Sequence, residues 1–279
     1  MKWIVYTDLD GTLLDFQTYS YKVTEDTVKK LIERDVPVIF CSSKTRVEQE
    51  VYRKALQLDY PFIVENGSAI IIPRDFFGFE LESLHFLEPY KLTTIGEEAH
   101  LALILGESYQ YIRSIIVSAR SETDAHVFGY ADLTLAEIMS LTGLDKASAL
   151  RASNRDFSET LLKGIDDSKK CKSLFHILDE QNLLCVSGGK FHTVMGKGGD
   201  KGKAVNILDQ LLTLKYGELQ TIGLGDSAND LPLLKEVDRP FLVQKPSGKW
   251  QEIEENSVTK VNAIGPEGWN LAIQSIFDI

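Results

Sequence analysis

Short apolar runs alternate with amphipathic stretches at both ends of the chain, and each run stops at a cluster of polar residues. Ile4-Val5-Tyr6 runs into Asp8-Leu9-Asp10-Gly11. Helix formers fill 25–34, and Val36-Pro37-Val38-Ile39-Phe40-Cys41 is the next apolar run. Two strands with a helix between them predict a right-handed βαβ crossover. A third run, Pro61 to Val64, stops at the turn Glu65-Asn66-Gly67. The alternation returns late in the chain. From Ala204, the residues Ile207, Leu208, Leu211 and Leu212 make one helical face. Leu219 to Leu224 reads as a strand closing on Gly225-Asp226, and the next helix carries Pro232 in its first turn. Pro240 to Val243 reads as a further strand. The pattern predicts an α/β fold, a parallel sheet with helices on both faces.

The middle is less regular. It carries a predicted helix over 134–142 ending at Gly143, another over 168–180, a polar stretch from Arg151 to Glu159 and a turn at Ser187-Gly188-Gly189. No low-complexity linker or repeat interrupts it. The simplest organisation is one α/β unit made of 1–100 and 197–279, with a compact insertion over 101–196.

Composition narrows the function. With 43% hydrophobic and 25% charged residues, the 279-residue chain suits a globular protein. No run approaches the roughly 18 apolar residues of a membrane span, and the N-terminus turns acidic too early for a signal peptide, so a cytoplasmic address is expected. The three cysteines (Cys41, Cys171, Cys185) are odd in number and lack metal-ligand spacing. The net charge of −11 disfavours nucleic acid and anionic membranes as partners. An anionic substrate would have to be held by a local site with a metal and a few placed cations.

The polar clusters supply such a site. Ligands of open parallel sheets bind at the carboxyl ends of strands, where Asp8-Leu9-Asp10-Gly11-Thr12 lies. Extended alternation puts Asp8 and Asp10 on one side, so that one can attack while the other carries a proton. An acidic turn closing a strand would show the same pair. Gly225-Asp226-Ser227-Ala228-Asn229-Asp230 ends a second strand in the same way and also reads as a helix N-cap. Carboxylates gathered there repel, and a divalent ion, most naturally magnesium, relieves the repulsion. Ser42-Ser43-Lys44 follows the second strand, where a hydroxyl and backbone N–H groups suit phosphate oxygens. Lys201 opens an amphipathic helix and can neutralise a transferring phosphoryl group. Either piece alone is more often an ordinary surface feature.

Asp-x-Asp-Gly-Thr, then Ser, Lys and Gly-Asp-Ser-x-Asn-Asp in this order resemble the haloacid dehalogenase superfamily of phosphohydrolases. The resemblance implies a Rossmannoid core with an inserted α/β cap. It further implies Asp8 as nucleophile, Asp10 as acid and then base, and Ser42 and Lys201 on the phosphoryl group. Mg2+ would be held by Asp8, the Asp10 carbonyl and Asp226, with Asn229 and Asp230 supporting phosphate, lysine and metal. The second aspartate favours phosphoryl transfer, because the dehalogenases of this superfamily lack it. Thr142-Gly143-Leu144, Arg155 to Glu159, Gly188-Gly189-Lys190-Phe191-His192 and Gly265-Pro266-Glu267-Gly268-Trp269 are similar to the mannosyl-3-phosphoglycerate phosphatase group within it. That similarity implies that Arg155, Ser158, Glu159, Gly188, Gly189 and Lys190 face the substrate, with Ser43 and Lys44 nearby on the core. It implies a small phosphorylated sugar–glycerate substrate and a monomer or homodimer. The group usually has arginine at the position of Lys190 and proline at that of Thr160, which leaves a glucosyl analogue or a broader phosphosugar range open. A catalytically silent binding protein of the same fold is the alternative of another class.

Overall fold

The computed structural model describes residues 1–166, 168–188, 191–255 and 257–279. Its elements in chain order are β1 (Lys2–Thr7), α1 (Glu25–Glu33), β2 (Val38–Phe40), α2 (Arg46–Leu56), β3 (Phe62–Val64), β4 (Ala69–Ile72), β5 (Lys91–Ile95) and β6 (His100–Ile104). Then come α3 (Tyr109–Thr123), β7 (Phe128–Gly129), α4 (Leu135–Thr142), α5 (Lys146–Ser153), β8 (Ser158–Lys163), α6 (Lys169–Glu180), β9 (Leu183–Gly188) and β10 (Phe191–Gly196). The chain closes with α7 (Lys201–Tyr216), β11 (Leu219–Gly225), α8 (Leu231–Glu236), β12 (Arg239–Gln244), β13 (Thr259–Ile264) and α9 (Gly265–Gln274).

The first sheet is parallel, in the order β13-β12-β11-β1-β2. β1, β2, β11 and β12 are buried on both faces, which is why they read as continuous apolar runs, whereas the edge strand β13 is largely exposed. Val5, Val38 and Phe40 pack with residues of α1, α2 and α9 on one face. Ile4, Tyr6 and Ile39 meet Ala204, Leu208, Leu211 and Leu212 of α7 on the other. The adjacent strands β1 and β11 both end where acidic loops begin.

A bridge between Cys41 and Ile63 sets β3 beside the end of β2. From there an antiparallel sheet runs β3-β4-β6-β5. The apolar reading missed its last three strands. Ala69-Ile70-Ile71-Ile72 is too short for periodicity to separate strand from helix. The β5 strand is half-exposed and polar, held by pairing with β6.

Between β6 and α7 lies a second α/β arrangement, an antiparallel sheet in the order β7-β8-β10-β9. Leu161 packs with Ile112, Ile116, Leu174 and Leu178 of α3 and α6. Its neighbour Leu162 packs with Ile138, Ala149 and Ala152 of α4 and α5 on the opposite face. Both helices expected in this stretch form, and their ends are capped. Thr134 accepts from the Glu137 N–H, Gly143 closes α4 at φ 79°, and Ser168 accepts from the Cys171 N–H. Of the expected turn at Ser187-Gly188-Gly189, Ser187 and Gly188 belong instead to β9, paired with His192 and Phe191 of β10, and Gly189 lies outside the described residues.

Candidate active site

Two parallel strands end side by side and release acidic loops at the same level. The Asp8 N–H still donates to the Leu224 carbonyl at 2.9 Å, and the chain then turns, with the Leu14 N–H bonded to the Leu9 carbonyl at 2.8 Å. Asp8 and Asp10 are therefore not neighbours on an extended segment, as alternation alone suggested. Gly11 makes the approach of the two loops possible. It sits at φ +76°, and a Cβ there would stand 3.1 Å from Asp226 Oδ2.

The second loop is folded around Asp230. Its Oδ2 accepts from the Asp226 and Ser227 N–H groups, both at 3.0 Å, and its Oδ1 accepts from Lys201 Nζ at 2.6 Å. Lys201 stands in the first turn of α7, whose N-cap Asp200 accepts from the Lys203 N–H at 2.8 Å. Lys201 Nζ also donates to Asp8 Oδ1 at 2.6 Å. The lysine is 1% exposed, so these two ion pairs lie in the interior.

One oxygen from each of Asp8, Asp226 and Asp230 lies within 4.8 Å of the others. Lys201 is ion-paired with two of these three buried carboxylates, and the charge of Lys245 acts on the third, Asp226. Burial, and then the Asp230 charge, hold the Asp8 carboxyl well above the usual range against the pull of Lys201. Burial and Asp230 push Asp226 to about 7. Burial works against the Lys201 charge, yet Asp230 and Asp8 together keep it firmly protonated. An all-oxygen donor set this short of positive charge fits a hard divalent cation such as magnesium.

The Asp10 side chain points elsewhere. It pairs with Lys44 Nζ at 3.0 Å, and that ammonium also lies 3.6 Å from Glu48 and over the Tyr19 ring. Ser42 is fully buried, and its Oγ accepts from the Lys44 N–H at 3.3 Å. Asn229 Nδ2 donates to Asn66 Oδ1 at 3.3 Å. The Asn66 N–H in turn donates to the Ser42 carbonyl at 3.0 Å, which ties the loops after β2, β3 and β11 together.

Arg155, Ser158 and Ser43 also meet. Arg155 donates to Ser158 Oγ through Nε at 3.0 Å and through a terminal nitrogen at 2.7 Å, and that nitrogen reaches the Ser43 carbonyl at 3.3 Å. Glu159, on the next position of β8, faces away from them. It is fully buried and accepts from Tyr109 Oη at 3.0 Å and the Tyr130 N–H at 3.1 Å, with Arg113 at 3.3 Å. Gly188 ends β9 opposite Phe191. Gly189 and Lys190 lie outside the described residues.

Two contributors escaped the sequence reading. Trp269 is fully buried and donates to Thr7 Oγ1 at 3.0 Å, and the Thr7 hydroxyl donates to the Asp8 carbonyl at 2.6 Å. Glu65, also fully buried, accepts from the Asp156 N–H at 2.8 Å and the Phe157 N–H at 3.2 Å. The only signal for either was a polar turn closing a strand and a motif near the C-terminus, and neither disclosed its partner.

Comparison with known proteins agrees with this geometry. The family model for haloacid dehalogenase-like hydrolases matches residues 5–263. A glucosyl-3-phosphoglycerate/mannosyl-3-phosphoglycerate phosphatase of Methanococcoides burtonii is 41% identical over 277 residues, covering 99% of this chain and 97% of that protein. A mannosyl-3-phosphoglycerate phosphatase of Pyrococcus horikoshii is 31% identical over 245 residues, covering 86% and 90%. Among solved structures, the sucrose-phosphatase of Synechocystis sp. PCC6803 superposes with a TM-score of 0.59 at 15% identity, over 100% of this chain and 99% of that one. Sequence match, fold and the clustered carboxylates agree: the chain belongs to the haloacid dehalogenase-like hydrolases.

Proposed function

We propose that this hydrolase is a magnesium-dependent phosphatase that releases phosphate from glycosyl-3-phosphoglycerates, accepting both mannosyl and glucosyl forms. One observation carries the chemistry: Lys201 bridges Asp8 and Asp230 at 2.6 Å inside a buried cluster that also holds Asp226. The substrate class rests on relatives named for these compounds at 41% and 34% identity over almost the whole chain.

In this reading Asp8 attacks phosphorus, and the leaving oxygen takes its proton from Asp10. Asp10, now a carboxylate, removes a proton from water, which displaces the phosphoryl group from Asp8. Lys201 neutralises charge on the equatorial oxygens in both displacements, and it keeps Asp8 oriented between them. Ser42 and Asn229 contact the phosphate. Asp8, Asp226 and the Asp10 carbonyl would hold Mg2+, with Asp230 fixing loop and lysine. When bound, the ion supplies positive charge to the phosphoryl oxygens and lowers the repulsion among the carboxylates. The insertion, expected over 101–196, serves as a cap that excludes water and reads the leaving group through Arg155 and Ser158. Glu159, enclosed by Tyr109 and Arg113, supports that surface from within.

A phosphate-release assay over mannosyl- and glucosyl-3-phosphoglycerate and common sugar phosphates, with and without Mg2+, tests this. Preference for the two glycosyl-phosphoglycerates is expected. Equal turnover of all the substrates would reduce the reading to a broad phosphosugar phosphatase, and activity unaffected by chelator would remove the metal.

A further inference from the structure

No chemical step uses the turn Glu65-Asn66-Gly67, yet the pieces of the site converge on it. The Glu65 N–H donates to the Lys44 carbonyl at 3.1 Å, and the Asn66 N–H to the Ser42 carbonyl at 3.0 Å. The Asn66 side chain receives Asn229. Gly67 lies so close to α7 that a Cβ would stand 2.1 Å from the Asp200 carbonyl and 2.6 Å from Lys201 N. Glu65 and Asn66 both hold positive φ, at 50° and 60°, a conformation non-glycine residues adopt at a cost. The strain is tolerated because every side of the turn is engaged.

The remaining side faces the insertion. The Glu65 carboxylate is fully buried, and its described partners come from one stretch of chain, residues 155–158. Oε1 accepts from the Asp156 N–H, while Oε2 accepts from the Phe157 N–H and the Ser158 hydroxyl, with Arg155 Nε at 3.5 Å. A buried carboxylate must have such donors, and these donors need an acceptor that has no hydrogens of its own. Arg155 completes the loop by reaching back to the Ser43 carbonyl.

We propose that Glu65 is a specificity-determining positioning residue. Its carboxylate latches the entry of β8 to the phosphate-site loops and so fixes where Arg155 and Ser158 stand relative to the phosphoryl group. Through them it favours substrates whose leaving group carries its own carboxylate. Glu65 itself touches no substrate. The inference rests on the phosphatase reading above, with Arg155 and Ser158 facing the leaving group.

Glu65→Gln tests it at constant volume. In either amide orientation an NH2 group meets backbone N–H donors, of Asp156 or of Phe157, so the latch is broken without a cavity. The readouts are steady-state kinetics on mannosyl-3-phosphoglycerate and on p-nitrophenyl phosphate, and hydrogen exchange of the Asp156 and Phe157 amides. For mannosyl-3-phosphoglycerate we expect kcat/KM to fall about tenfold to a hundredfold, mainly through KM. Turnover of p-nitrophenyl phosphate should stay within about threefold, and the two amides should exchange faster. Glu65→Asp, which keeps the charge on a shorter arm, should give an intermediate loss. A parallel loss on both substrates, or unchanged exchange of the two amides, overturns the proposal. If wild-type protein ignores mannosyl-3-phosphoglycerate, the substrate assignment fails on its own, and the exchange measurement still decides the latch. Should the variants not fold, wild-type exchange is decisive: both amides precede the β8 ladder, and rapid exchange there would mean that Glu65 does not hold them.

Discussion

Replacing Lys201 by methionine keeps the length of the side chain and removes its charge. The ammonium is buried and makes two contacts of 2.6 Å, to Asp8 and Asp230. Removing one partner of a buried ion pair costs about 3–5 kcal/mol, because the remaining charge is left without compensation. For a chain of this size about 1 kcal/mol corresponds to about 2–4 °C, so the metal-free variant should melt about 6–20 °C lower. The deficit should depend on pH. Lys201 is the group that opposes the upward shift of Asp8. Without it Asp8 protonates more readily, which lessens the penalty in acid and leaves it largest in alkali. Magnesium should restore part of the lost stability, since a divalent ion can replace the missing charge. Activity should not return with it. Loss of a preorganised charge at a transition state costs roughly 10²–10³ in kcat. The assay is thermal unfolding followed by circular dichroism at pH 5.5 and 8, with and without Mg2+, alongside phosphate release. A variant that melts with wild type in chelator at pH 8 and keeps wild-type turnover would refute the role of Lys201.

Further outcomes follow from the same geometry. Asp10→Asn should leave Mg2+ affinity nearly intact, because its side chain pairs with Lys44, yet lower turnover by roughly 10²–10⁴ through loss of the proton carrier; calorimetric titration that shows affinity lost as in Asp226→Asn would contradict this. Asp226, pushed up to about 7, must lose its proton to bind metal, so Mg2+ affinity should weaken as pH falls through that value. In metal-free protein the sign is opposite. The raised carboxyl contributes stability in acid that is lost as pH rises through about 7, and melting curves over pH 4 to 9 in chelator read it directly. Gly67→Ala would drive a methyl group into the Asp200 carbonyl from a backbone at φ +88°, and should cost more than about 2 kcal/mol in urea unfolding and displace Lys201, with activity lost in proportion.

The parts of the fold that were legible share one property: local sequence decides them. β1, β11 and β12 are buried on both faces and therefore show as unbroken apolar runs. The end of α4 is legible at Gly143, while the N-caps Thr134 and Ser168 emerge with the structure. Two strands of one sheet that each end in a carboxylate are enough to place Asp226 near Asp8. Less legible were features set by distant partners. β5 is a strand because β6 lies beside it, and nothing in Lys91–Ile95 alone requires that. Glu65 reads as turn chemistry, and only the packing of the insertion shows that residues 156–158 fill its carboxylate. Glu159 matched a substrate-facing motif, but alternation along β8 turns it into the interior of the second unit, where Arg113 meets it. Trp269 likewise gives no sign in sequence that its indole N–H holds Thr7 beside Asp8.

The proposed chemistry requires that the Asp8 carboxylate itself take the phosphoryl group. The most direct measurement is mass spectrometry of acid-quenched enzyme during turnover of p-nitrophenyl phosphate, whose leaving group needs no proton. It should be made in the Asp10→Asn variant, where water attack is slowed. The expected result is one phosphoryl mass on the peptide containing Asp8, absent when Asp8→Asn is introduced as well. Turnover with no covalent phosphate on that peptide, or with inversion at phosphorus in a chiral phosphate substrate, would contradict it.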